Sequence, residues 1–135
     1  MTIADHGEVH RIWRSAKGIC VVEEDAREGI SLYLSRNRGL CFVATVGGRI
    51  VGTVLCGHDG RRAILRHLAV RPGYRRRGIG RELVERCRRA LRRRGIRKCN
   101  IYVMKDNPGG LRFWVGLGYR VLDDDYLTLQ ASTSV

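Results

Sequence analysis

Between His67 and Arg81 the chain reads His-Leu-Ala-Val, then Arg-Pro-Gly-Tyr, then Arg-Arg-Arg-Gly-Ile-Gly-Arg. A strand-like stretch, a Pro-Gly break and a pair of glycines thus lead into a long amphipathic segment. Glycines at 78 and 80 allow a backbone to approach a ligand where a Cβ would collide. At a helix start the first N–H groups lack intrahelical partners, and the macrodipole end is positive. Such a loop can hold a phosphate or pyrophosphate, and Arg75, Arg76, Arg77 and Arg81 add charge of the fitting sign. It is not a Walker loop, because arginine rather than lysine follows Gly80. Nor is it a dinucleotide fingerprint, since position 83 is leucine where a third glycine is required.

Proton-transfer groups are sparser. The stretch from Arg61 to Val70 contains no carboxylate, and His67 is its candidate base, because imidazole titrates near neutrality. His58 and Asp59, in the turn before it, come next. The plain alternatives are a satisfied structural histidine at 67 and a solvated turn residue at 58. Asp123, Asp124 and Asp125 are consecutive, so their carboxylates point different ways, and they read as a solvated turn. Cys20, Cys41, Cys56, Cys87 and Cys99 are odd in number and scattered, with no CxxC pair and no zinc spacing. They read as reduced, buried thiols of a cytoplasmic protein, with no metal site.

Periodicity supplies the elements that must position these groups. Val9, Ile12, Trp13 and Ala16 predict a helix from Asp5 to Lys17, and Ile30, Tyr33 and Leu34 a second from Asp25 to Arg36. Strands are predicted over Leu40–Val46, Arg49–Cys56 and Arg61–Val70, joined by Gly47-Gly48 and by the turn at Gly57–Gly60. The three form an antiparallel meander. A helix from Gly80 to Arg94 carries an apolar stripe of Leu83, Val84, Cys87, Ala90 and Leu91, and Gly95 stops it. A strand over Lys98–Met104, a helix over Pro108–Leu117 and short strands over Tyr119–Leu122 and Asp125–Leu129 complete the order ααβββαβαββ. The class is α+β, and residues 1–135 form a single domain.

Charge narrows the partners. Lysine and arginine total 26 against 13 acidic residues, for a net charge of +13. Only Lys17, Lys98 and Lys105 are lysines. Phosphates, carboxylates, nucleic acid or an acidic surface would be attracted. The block Arg86–Lys98 could sit on nucleic-acid phosphates. However, the chain shows no aromatic stacking set and no helix-turn-helix, and an arginine-rich composition gives the same pattern, so nucleic acid is not favoured. No apolar run approaches the ~18 residues of a membrane span, and Met1–Arg14 lacks the apolar core of a signal peptide.

At the glycine loop the sequence resembles a known family. Arg75-x-x-Gly78-x-Gly80 is similar to the Arg/Gln-x-x-Gly-x-Gly/Ala signature of the GNAT N-acetyltransferase superfamily, and Leu68-Ala-Val-x-Pro72 resembles that family's fourth strand. A second block agrees: Val103, Asn107 and Leu111-x-Phe-Trp114-x-x-x-Gly-Tyr119 resemble the segment that ends in Phe-Tyr-x-x-x-Gly-Phe/Tyr. The likeness covers roughly residues 40 to 129. It implies a mixed central sheet with helices on both faces, and a first strand that is short or missing here. It also implies acetyl transfer from acetyl-CoA, a co-substrate, to a primary amine on a small molecule, peptide or protein N-terminus, by direct attack and without metal. Leu68 and Val70 would pair with the pantetheine arm. The pyrophosphate would lie on the loop amides of Arg76, Arg77, Gly78, Gly80 and Arg81, and Ala69, Arg75 and Ile79 would also bind the cofactor. Asn107 and Trp114 would adjoin the cofactor, and the protein would be a monomer or a homodimer.

The chain departs from the family at the position of its usual tyrosine acid, which falls on Trp114. Indole N–H donates but does not titrate usefully. The thiolate then leaves unassisted, or Tyr102, Tyr119 or water protonates it. The alternative is a protein that binds acyl-CoA with weak or no catalysis.

Overall fold

The computed structural model describes residues 1–133. Its helices are α1 (His6–Ser15), α2 (Arg27–Arg36), α3 (Ile79–Arg93) and α4 (Pro108–Gly116), and its strands β1 (Phe42–Val46), β2 (Arg49–His58), β3 (Ala63–Val70) and β4 (Cys99–Asn100). The strands lie in the order β1-β2-β3-β4. β1, β2 and β3 pair antiparallel, whereas β3 and β4 pair parallel, so the sheet is mixed and the fold is α+β.

Helices cover both faces. α1 and α2 bury Val9, Ile12, Trp13 and Ile30 against Cys41, Ile50, Leu55 and Ala69. On the other face α3 and α4 bury Leu83, Val84, Cys87, Leu91 and Trp114 against Leu40, Val54, Cys56, Ala63 and Leu65. β2 is therefore buried on both sides through most of its length. That explains why its sequence is almost continuously apolar rather than alternating.

Local chemistry fixes the ends of the elements. α3 stops at Gly95, which is left-handed at φ 77°, as the sequence predicts. Asn107 caps α4, with its Oδ1 accepting from Gly110 N–H at 3.0 Å, and Pro108 occupies the first helical turn. Arg88 of α3 holds the other end of α4 by donating Nη2–H to Leu117 O at 2.7 Å.

Several expectations are corrected. The strand expected over Lys98–Met104 shrinks to Cys99–Asn100. The strands expected over Tyr119–Leu122 and Asp125–Leu129 do not form, and Val121, Tyr126, Leu127 and Leu129 are 70%, 70%, 85% and 86% exposed. A strand needs a neighbour for its backbone groups, and a two-residue β4 offers the tail almost no edge. Three successive carboxylates also interrupt its apolar alternation. As expected, the family's first strand is missing among the described residues, and a 3₁₀ turn over Ile3–Asp5 stands before α1. All five cysteines are free, but Cys20 is exposed and Cys99 only half-buried. Among the described residues no helix is long and apolar enough to cross a membrane.

Candidate functional site

Two irregularities of the sheet build the site. The first is a cleft. β3 and β4 pair only at Ala63↔Cys99 and Ile64↔Asn100, after which the chains part. Among the described residues Leu65 to Val70 thus have no strand neighbour on that side, and these include Leu68 and Val70, the residues expected to pair with the pantetheine arm, and Ala69 between them.

The second is a β-bulge on β3. Thr53 pairs with Ala69 and Leu55 with Arg66, so one residue of β2 faces two of β3, His67 and Leu68. Before the bulge Ala63 and Leu65 face α3 and α4; after it Leu68 takes that face, and Ala69 faces α1 and α2. His67 is turned to the α1 side, where its ring lies 4.9 Å from Trp13, edge to face. Its backbone is left-handed at φ 52°, rare for a residue with a Cβ.

Three contacts hold it there. Thr53, fully buried, donates Oγ1–H to His67 O at 2.8 Å and accepts Trp13 Nε1–H at 2.9 Å. His67 Nε2 lies 2.8 Å from Asp25 Oδ2. A carboxylate can only accept, so Nε2 carries the proton. The same Oδ2 accepts Val22 N–H at 2.9 Å, and the Asp25 carbonyl lies 2.9 Å from His6 Nε2. Asp25 is 5% exposed. Tyr119 Oη is the one buried side-chain N or O without a partner among the described residues; the His67 side chain is 13% exposed, and its Nδ1 has no hydrogen-bond partner among those residues.

The glycine loop sits where β3 leads into α3. Arg76 and Gly78 are both left-handed, at φ 62° and 80°. Gly78 is the N-cap of α3 and no side chain caps the helix. None of the N–H groups from Arg76 to Arg81 donates a hydrogen bond among the described residues; the first that does is Glu82 N–H, to Gly78 O. These donors suit a diphosphate. Gly80 also serves packing: a Cβ there would meet Phe113 Cζ at 3.3 Å, so this glycine lets α3 pack against α4. Arg75 donates Nε–H to Val70 O at 3.1 Å, Arg77 lies over Tyr74 at 5.3 Å, and Arg81 is exposed beside Ile79 at the helix start.

A groove of about 1270 Å³ runs beside β4 and α4, and it brings Tyr102, Asn107, Trp114 and Tyr119 together. His67 and the glycine loop lie outside its lining. Trp114 is 6% exposed and packed edge-to-face between Phe113 and Tyr119. Burial pushes the Tyr119 phenol far up, and the Arg88 guanidinium lies 4.8 Å over its ring. Tyr102 is 69% exposed, with the Arg66 guanidinium of β3 5.9 Å over its ring. Asn107 Nδ2 abuts the loop after α1, where a Cβ on Gly18 would stand 2.9 Å away.

A sequence profile described as the acetyltransferase (GNAT) family matches residues 7–119. The chain belongs to the GNAT acetyltransferase family. An acetyltransferase of Yersinia pestis is 37% identical over 99 residues, spanning 73% of this chain and 70% of that one. An acetyltransferase of Sodalis glossinidius is 35% identical with the same coverage. In fold, the PaiA N-acetyltransferase of Thermoplasma acidophilum, solved in complex with coenzyme A, superposes with a TM-score of 0.80 at 22% identity. That match covers 93% of this chain and 89% of the other.

Within this GNAT chain, Asp25, Thr53 and Trp13 escape a sequence reading as site residues. Asp25 marks a helix start and Trp13 an apolar stripe. Nothing in a one-dimensional pattern links Asp25 to a histidine 42 residues away. The one available signal is the absence of a carboxylate from β3, which leaves His67 needing an acidic partner from elsewhere. Arg86 and Arg89 of the basic block pair with Glu82, and Arg88 with Glu85.

Proposed function

We propose that the protein transfers the acetyl group of acetyl-CoA to a primary amine of a small molecule or a protein N-terminus. The observation that carries this reading is the run of unpaired N–H groups from Arg76 to Arg81 beside a strand edge left open from Leu65 to Val70. The loop donors and the arginines Arg75, Arg76, Arg77 and Arg81 suit the pyrophosphate, and the open edge of Leu68, Ala69 and Val70 suits the amides of the pantetheine arm. The CoA-bound fold relative supports the same assignment. Acetyl-CoA supplies an activated carbonyl and a thiolate leaving group.

The chain's own residues then handle protons. An amine at neutral pH arrives as ammonium and attacks only once neutral. His67 Nδ1, the ring nitrogen that Asp25 leaves free, takes that first proton and returns it to solvent. The nitrogen forms its bond to the carbonyl carbon as the C–S bond breaks, and backbone N–H groups of the open β3 edge stabilise the oxyanion. The second nitrogen proton ends on the thiolate, through water or Tyr102. Tyr102 is the accessible phenol, whereas the Tyr119 hydroxyl is buried. Trp114, packed in the core, has no part in this transfer.

Calorimetry with acetyl-CoA tests the binding half, and free-thiol release across polyamines, aminoglycosides, amino acids and short peptides tests the transfer. Saturable binding below millimolar ligand is expected. Absence of heat at millimolar concentrations would sink the reading.

A further inference from the structure

We infer that Asp25 is a positioning residue for the acetyl transfer: it locks the His67 imidazole in the Nε2–H form and leaves Nδ1 as the proton-accepting nitrogen. The inference rests on the reading of His67 as the base.

The two side chains are brought together by separate devices. Asp25 ends a 3₁₀ turn, Glu23–Asp25, between α1 and α2. Its Oδ2 is fixed by Val22 N–H at 2.9 Å before His67 is considered, and its backbone oxygen by His6 at 2.9 Å. The carboxylate is 7% exposed and His67 13%, so little water competes for the 2.8 Å bond. On the histidine side, the bulge turns the ring away from α3, and the Trp13–Thr53 chain holds its backbone in the left-handed region. A left-handed residue with a Cβ is strained and persists only where its surroundings over-determine it.

The chemistry needs such a lock. A neutral imidazole has one donor and one acceptor nitrogen, and a base must present the acceptor to its substrate. Were the proton free to move to Nδ1, that nitrogen would be a donor and could accept nothing. A carboxylate on Nε2 forbids that tautomer, by the same logic that orients a histidine in a hydrolase triad through its other nitrogen. When Nδ1 takes the substrate proton, the carboxylate also faces the resulting imidazolium at 2.8 Å and stabilises it. No atom of Asp25 touches the substrate, and no bond to it is made or broken.

The test combines histidine ¹⁵N NMR with kinetics on the full chain. In the wild type, His67 should show the pattern of a protonated Nε2 and a bare Nδ1 at a pH where the ring is neutral. Asp25→Asn should give a mixture of tautomers. It should lower kcat roughly 10- to 100-fold, part of the 10²–10⁴ that general-base catalysis supplies, with acetyl-CoA affinity unchanged by calorimetry. Combined with His67→Gln it should add no further loss, because Asp25 acts through the histidine. Should Asp25→Asn fail to fold, Asp25→Glu keeps the charge, and the wild-type spectrum still decides. A protonated Nδ1 in the wild type would overturn the proposal, as would an Asp25→Asn loss that simply adds to that of His67→Gln. Failure of the base reading looks different: His67→Gln then keeps full activity while the tautomer of the wild type stays fixed.

Discussion

Replacing Thr53 with valine probes the support beneath His67. The side chains are nearly the same shape, so the change removes a hydroxyl and little volume. That hydroxyl is fully buried and makes two bonds, accepting from Trp13 Nε1 at 2.9 Å and donating to His67 O at 2.8 Å. Trp13 is itself fully buried, so its indole N–H would find no water. Leaving a buried donor or acceptor unsatisfied costs about 1–3 kcal/mol. The two together give about 2 to 6 kcal/mol, out of a total that for most domains is about 5–15 kcal/mol. At a slope of about 2 kcal/mol per M the urea midpoint should fall by about 1 to 3 M. Thr53→Ser keeps the hydroxyl and loses one methyl, worth about 1 kcal/mol. Equilibrium urea unfolding, followed by tryptophan fluorescence, measures both. If valine costs no more than serine, the Trp13–Thr53–His67 chain does not hold the bulge, and the account of why His67 faces α1 fails.

Gly78→Ala meets no atom within 4 Å but must sit at φ 80°, so chemical denaturation should show a loss of about 1 kcal/mol, from backbone strain alone. Gly78→Val should also weaken acetyl-CoA binding at least roughly tenfold in calorimetry, because the loop amides then lose their aim. Trp114→Tyr should lower stability by about 1–3 kcal/mol through lost packing, with no gain in thiol-release turnover; a large gain would show that the missing phenol was the acid. Burial raises the Cys41 thiol and the Tyr33 and Tyr119 phenols above their ordinary values. The unfolded chain therefore loses these protons first, so stability is whole below about pH 8.5, where free thiols titrate, and declines above it, more steeply past about pH 10. Urea midpoints measured at pH 7, 9 and 10.5 should fall in that order.

The elements legible in the sequence are those whose signal is local. The stripe Leu83–Leu91 locates α3 almost to the residue, and Gly47-Gly48 locates the first hairpin. Pro108 and Gly95 mark a start and a stop. The glycine loop is legible too, since strand, turn and helix start follow one another in the chain. What is not legible depends on partners distant in sequence. The tail from Tyr119 to Leu129 has strand-like residues, yet its state is decided by whether β4 offers an edge. Asp25 looks like a helix start until the sheet delivers a histidine to it. Gly80 reads in sequence only as a ligand-facing glycine, and its second constraint is a phenyl ring 33 residues on, 3.3 Å from where its Cβ would lie.

The bulge gives β3 two phases. Ahead of it the odd-numbered residues Ala63 and Leu65 serve the α3 side; behind it the even-numbered Leu68 does, and His67 and Ala69 serve the α1 side. Which layer a side chain at position 67 addresses is therefore set by chain length rather than by residue type. Deleting one residue between Arg66 and Ala69 would restore a regular ladder and leave a single residue opposite Val54, on the face that Val54 shares with α3. A histidine kept there would point into the Leu83–Leu91 core, away from Asp25. For anyone transplanting this strand into another scaffold, the extra residue is as much a part of the site as the imidazole.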